Sequence, residues 1–205
     1  MTRVNTTFSN AFFLTNTDQG DQWTASVKGE RRMRNGLFAS ASYLYGRSNT
    51  VNDGASSTAF SNWQFLYTRG NSNLPVLGIS DRDIRHRFNM FAYFELPGRL
   101  DLNTRIQART AQPITASPRV LNGEDRGRNS LRKDNEYFSF DWRLGRPFNV
   151  GKSAQIIPTI EMFNTFNNDN NINPLSTPAL FDFAGFLRTG VGDPRQVQLA
   201  VKFVF

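Results

Sequence analysis

Arg195-Gln-Val-Gln-Leu-Ala-Val-Lys-Phe-Val-Phe205 is the stretch that decides the fold. Val197, Leu199, Val201, Phe203 and Phe205 fall on one parity, and Gln196, Gln198, Ala200, Lys202 and Val204 on the other. Successive side chains of a strand point to opposite faces, so this stretch has one apolar wall and one mostly polar wall. Its length is that of one tilted membrane-crossing strand, roughly 9–11 residues. A soluble sandwich strand has the same appearance. The choice therefore depends on how often the pattern recurs upstream.

It recurs six times. Residues 22–33 place Trp23, Ala25 and Val27 opposite Ser26, Lys28 and Glu30. Arg34-Asn-Gly36 then turns the chain, and Asn-Gly is a strong hairpin signal. The return strand, 37–46, carries Leu37, Ala39, Ala41, Tyr43 and Tyr45 on its apolar side. Residues 85–96 alternate His86, Phe88, Met90, Ala92, Phe94 and Leu96 with a charged parity, and Pro97-Gly-Arg99 makes a tight turn. Residues 100–110 alternate Leu100, Leu102, Thr104, Ile106 and Ala108 with Asp101, Asn103, Arg105, Gln107 and Arg109. Strands at 136–145 and 153–165 follow, the second weakened by Pro158, because proline within a run normally demotes a strand.

The connections alternate in length. Those at 34–36, 97–99 and 146–152 are short, and those at 47–84, 111–135 and 166–194 are long. The expected fold class is all-β, an antiparallel meander of seven long strands with every long loop at one end. Residues 1–20 read as loop, with a short strand at Ala11–Thr15. The apolar parity reads as free of charge. The other parity holds Arg85, Arg87, Glu95, Asp101, Arg105, Arg109, Asp141, Arg143, Glu161 and Lys202. In a soluble barrel that charged face is the outside. In a membrane barrel it lines a wet lumen. Loop asymmetry, strand length and 27 aromatic residues favour the membrane. An all-strand membrane structure must close, and bacterial barrels have even strand counts, so seven strands read as the last portion of a larger barrel.

Composition narrows the remaining classes. The chain has 205 residues, a formal charge of +7 and no cysteine, which excludes disulfides and thiolate metal sites. No run of 18 apolar residues is present, so a transmembrane helix is not expected, and mean hydropathy is negative. The first twenty residues carry no signal peptide, so either Met1 is not the natural start or the chain is a fragment. A nucleic-acid surface needs clustered cations with stacking aromatics, whereas here the aromatics sit mainly opposite the charges. His86, the only histidine, falls on the apolar parity near a strand start, a position at the outer interface rather than in a catalytic site. Asp81 and Asp83, or Asn167–Asn171, offer oxygen ligands to Ca²⁺, but turn formation accounts for residues of this type more simply. Catalytic, cofactor and metal sites are not expected. The lumen charges are expected to form ion-pair ladders or to contact a plug.

Several short motifs, taken in order, resemble the carboxy-terminal barrel portion of a TonB-dependent outer-membrane transporter of the Oar-like kind. They are Tyr43-Leu-Tyr-Gly-Arg-Ser48, Asp81-Arg-Asp-Ile-Arg-His-Arg-Phe88 with Glu95-Leu-Pro97, Glu161-Met-Phe-Asn-Thr-Phe-Asn167, and Asp193-Pro-Arg-Gln-Val-Gln198 leading to Phe205. The resemblance runs from about Trp23 to the end. It implies a bacterial outer-membrane location, a large plugged barrel of the 22-stranded type and uptake of a scarce substrate, whether metal chelate, glycan or peptide. The implied partners are outer-membrane lipid, the barrel-assembly machinery, a plug domain with further barrel strands, and the TonB complex. Val201, Phe203 and Phe205 then belong to the assembly signal. Substrate contacts fall to the long loops, with Trp63 and Phe65 as candidates. The competing readings are a structural or adhesive barrel without transport and a soluble ligand-binding β-domain.

Overall fold

A computed structural model describes residues 20–51, 77–80, 82–113, 120–121, 124–125, 129–132, 135–151, 153–170, 179–181, 187–189 and 193–205. The expected strand at Ala11–Thr15 and the candidate contacts Trp63 and Phe65 lie outside the described residues. All seven long strands are present: β1 (Gly20–Arg34), β2 (Leu37–Thr50), β3 (His86–Leu96), β4 (Leu100–Arg109), β5 (Tyr137–Gly145), β6 (Ala154–Phe163) and β7 (Gln196–Val204). They pair in sequence order, each antiparallel to the next, in one sheet. Among the described residues there is no helix. The sheet is not closed, since β1 and β7 each have one strand neighbour.

The turns follow from their residues. Asn35 and Gly36 have φ of 54° and 70°, as a two-residue hairpin turn requires. Gly36 is also held close to β3. Its carbonyl accepts the Glu95 N–H at 2.7 Å, and a Cβ there would stand 3.1 Å from Glu95. The pairing shifts by one residue between Arg31 and Arg34, a bulge that twists the rim of the β1–β2 ribbon.

Three expectations about boundaries need correction. The first long connection begins later than residue 47, because Arg47–Thr50 remain paired in β2 and Gly78–Ile79 adds a short strand against Asn49 and Thr50. The short connection 146–152 is not a plain turn, because Phe148–Val150 pairs back on Ala154–Ile156. The long connections also carry small hairpins of their own, Val120–Leu121 with Glu124–Asp125 and Ala179–Phe181 with Leu187–Thr189.

Pro158 sits inside β6 without breaking it. The β5–β6 ladder runs from Thr159 opposite Gly145 to Met162 opposite Trp142, so Pro158 lies just past its end. Its carbonyl accepts the Arg146 N–H at 3.2 Å, which shows that its backbone faces β5. The missing proline N–H therefore falls where the ladder has already stopped, and the Pro158–Val201 pairing with β7 is intact.

Residues paired across an antiparallel ladder share a face, so the register defines both surfaces. One face collects Trp23, Val27, Tyr43, Tyr45, Phe88, Met90, Ala92, Leu102, Ile106, Phe140, Trp142, Ile160, Leu199 and Phe203. Among the described residues no second layer covers it. Among the described residues only Val51 and Ala92 are buried apolar residues, while Val27, Leu199 and Phe203 are 65%, 78% and 64% exposed. The expectation that this face carries no charge fails at three places. Arg31 pairs with Ala39, Arg34 with Leu37 and Arg47 with Trp23, so all three lie on it, two near the short-turn end and one near the other. Arg47 lies beyond residue 46, where the alternation of β2 is expected to stop.

Candidate functional site: the charged face and the long-connection end

The opposite face is built in cross-strand rows. From the long-connection end, Arg87, Arg109 and Tyr137 form one row, followed by Asn89, Gln107 and Ser139, then Phe91, Arg105 and Asp141. Asn103, Arg143 and Glu161 come next, then Glu95 and Asp101. Lys202 lies beyond, paired with Ile157. Nine of the ten expected charged residues thus share one face. Arg85 does not belong to a strand, which starts at His86. Its carbonyl still accepts the Gly46 N–H, and its side chain enters a separate cluster described below.

The expected ion-pair ladder is largely absent among the described residues. Arg143 and Glu161 pair at 3.3 Å. Asp141, directly opposite Arg105, instead accepts from Ser139 Oγ at 2.5 Å and from the Asn164 N–H at 2.9 Å. Arg87 and Arg109 stand opposite one another. Like charges directly opposed on a sheet destabilise it. Arg109 lies over the Tyr137 ring, 5.8 Å from its centroid, and its Nη1 is buried with no hydrogen-bond partner. At the other end Glu95 opposes Asp101, which accepts from Tyr93 Oη at 2.8 Å. The face is thus electrically graded, with arginines that have no ion-pair partner among the described residues at the long-connection end and carboxylates at the short-turn end.

Two polar clusters organise the long-connection end. Asp83, 1% exposed, accepts the Ser48 N–H at 3.1 Å and pairs with Arg85 at 2.9 Å and Arg132 at 3.0 Å. Arg132 also donates to the carbonyls of Asp83 and Ala111. Asn135, equally buried, exchanges both side-chain hydrogen bonds with the backbone of Gln112. The first two long connections are thereby tied to each other and to β2. Asp83 is engaged by two arginines, so it is not placed as a Ca²⁺ ligand.

The second cluster follows β6. Asn164, Asn167 and Asn170 have φ of 47°, 56° and 45°, the left-handed region that asparagine tolerates. Asn170 Oδ1 accepts the Phe138 N–H, and Asn168 Nδ2 donates to the Phe138 carbonyl. These are backbone groups of β5 beyond the point where β6 stops pairing. Asn164 Nδ2 donates to the carbonyls of Asn168 and Asp193, and Asn164 Oδ1 accepts the Asn168 N–H. Asn167 Oδ1 accepts the Arg195 N–H just before β7. The asparagines act as a substitute strand, and the side-chain oxygens of Asn164, Asn167 and Asn170 each accept a backbone N–H. Among the described residues no group of three metal-ligating side chains occurs.

His86 lies where its parity put it, on the apolar face at the long-connection end. It shares a 2.6 Å hydrogen bond with Tyr43 and packs at 5.0 Å against the Tyr45 ring, which lies 5.2 Å from Trp23. Its ring is thus held by aromatic neighbours on the uncovered face. Val201 and Phe203 are exposed on the same face, and Phe205 is fully exposed past the end of β7.

No protein-family model, curated protein or solved structure matches this chain. Among the described residues no helix is long and apolar enough to cross a membrane, which leaves crossing by strands open.

Proposed function

We propose that the seven strands are the carboxy-terminal part of the wall of an outer-membrane β-barrel, and that the whole barrel is a TonB-dependent transporter. The observation that carries the membrane part is the uncovered apolar face. A water-soluble domain needs a second layer over such a face. In a bilayer, lipid is that layer and water wets the other face. The basic residues at the two ends of the apolar face support the same reading. From the row of Arg31 and Ala39 to the row of Trp23 and Arg47 is eight residues. At roughly 3.4 Å each that is ~27 Å along the strand, or ~21 Å with a tilt of about 40°, close to the apolar band of about 25 Å in such barrels. The aromatic cluster of Trp23, Tyr43, Tyr45 and His86, spread over three neighbouring rows, sits at one border of that band, where aromatic girdles belong.

The transport part rests on the motifs that resemble Oar-like receptors. In that reading the Asp83 and Asn164 clusters brace the outer mouth, Val201, Phe203 and Phe205 serve barrel assembly, and the charged face lines the lumen. The substrate is a scarce solute taken up with inner-membrane energy.

The test is an antibody against β7 used on fractionated cells that make the protein. A heat-modifiable species in the outer-membrane fraction, much larger than 23.3 kDa, is the expected result. Recovery in the soluble fraction defeats the membrane reading. A 23.3 kDa membrane species favours a structural or pore-forming role over active uptake.

A further inference from the structure

We infer that Arg87 and Arg109, with Tyr137 behind them, form a binding site for an anionic solute, one carrying carboxylate or phosphate groups. The two arginines are directly opposed in the β3–β4 ladder, which puts their Cβ atoms roughly 5 Å apart. Neither has an ion-pair partner among the described residues. The Arg109 guanidinium is held against the Tyr137 ring, and its Nη1 is buried without an acceptor. Other described arginines do have acid partners: Arg143 with Glu161, and Arg85 and Arg132 with Asp83. Two opposed guanidinium forks present several donors to one oxyanion, a geometry that a lone cation lacks.

The surroundings continue the same chemistry. The next row toward the short turns is Asn89 and Gln107, whose amides meet at 3.5 Å. It borders an open hollow of about 320 Å³ lined by Lys28, Asn89, Phe91, Arg105 and Gln107. Arg105 is exposed there, and its opposite carboxylate, Asp141, is engaged by Ser139 and Asn164. A solute held at Arg87 and Arg109 thus finds hydrogen-bonding amides, an aromatic ring and a third arginine within two rows, ~14 Å at roughly 3.4 Å per residue. The carboxylate pair Glu95 and Asp101 lies two rows further on, so anions are favoured at one end of the face and repelled at the other.

This assignment extends the transporter reading by naming the substrate class, and it rests on that reading only for its role in uptake. The experiment uses the full chain purified in detergent from the outer membrane, or in buffer if it proves soluble. Isothermal titration is run with citrate and, separately, with tripolyphosphate, at low and at 300 mM salt. Wild type is expected to bind one or both, more weakly at high salt. R87Q/R109Q is expected to lose at least tenfold in affinity, while R47Q, altered on the apolar face, binds as wild type. The better probe identifies the headgroup as carboxylate or phosphate. If the double variant misfolds, the exposed single R87Q and the charge-keeping R87K/R109K carry the comparison, with R87Q expected to weaken binding at least threefold. No binding by wild type, or equal binding by wild type and the folded arginine variants, overturns the site. Loss of heat-modifiable mobility in wild type, with anion binding retained, counts against the barrel alone.

Discussion

Asp83 and Asn164 each do the work of several residues. Asp83 is a buried carboxylate between two guanidinium groups, both about a quarter exposed. Removing one partner of a buried pair leaves the others unsatisfied and costs more than the pair contributed. Asp83→Asn is expected to lower stability by about 2–3 kcal/mol, read as a shift in the urea midpoint by tryptophan fluorescence. An unchanged midpoint would show that the cluster is ornamental. Asn164 combines a positive φ with side-chain bonds to Asn168 and Asp193. Asn164→Gly keeps the conformation and loses the bonds, whereas Asn164→Ala loses both. Alanine should therefore be the worse substitution by about 1 kcal/mol, and an equal loss would assign the whole effect to the hydrogen bonds. Neither residue was legible from sequence in this role. Asp83 meets Arg132 across 49 positions, and alternation says nothing about contacts between loops. The run of asparagines did announce turns, but not that their amides would complete the hydrogen bonding of β5.

At the level of the strand, parity carried almost everything. Period-two alternation located all seven long strands to within a few residues, because each has one face that must avoid water. It failed at the ends. Arg47 lies on the apolar face, and the pairing of Gly78–Ile79 with β2 has no alternation to show because it is two residues long. Parity also supplies a test of sidedness. Leu199→Arg places a charge at the middle of the apolar face and is expected to cost about 2–4 kcal/mol in a bilayer, while Gln198→Arg, one residue away, should be near neutral. Folding yields into lipid vesicles compare them directly, and equal yields would mean that this face does not meet lipid. Pro158 gives a second contrast. Pro158→Thr should leave stability within about 0.5 kcal/mol, since no ladder partner awaits its N–H. Ile160→Pro, two residues on and inside the β5–β6 ladder, should cost about 3 kcal/mol or more. The unfolding midpoints of the two variants settle which end of β6 is tied to β5.

At the largest scale, the main fact is that among the described residues the sheet has almost no buried apolar core and β1 and β7 each have a single strand neighbour. What covers the apolar face, and what lies beside β1 and β7, decides the architecture. The sheet also constrains the second answer by simple counting. Neighbouring strands reverse direction at each step, so β1 and β7, six steps apart, point the same way. A ring made only of upright copies of these seven would set β7 of one copy beside β1 of the next in parallel, breaking an otherwise alternating wall at every seam. Turning alternate copies over would repair the seams but would send their long connections to opposite ends of the ring. Closure that preserves alternation therefore needs an odd number of additional strands between β7 and β1, and arithmetic alone makes the completed circumference even.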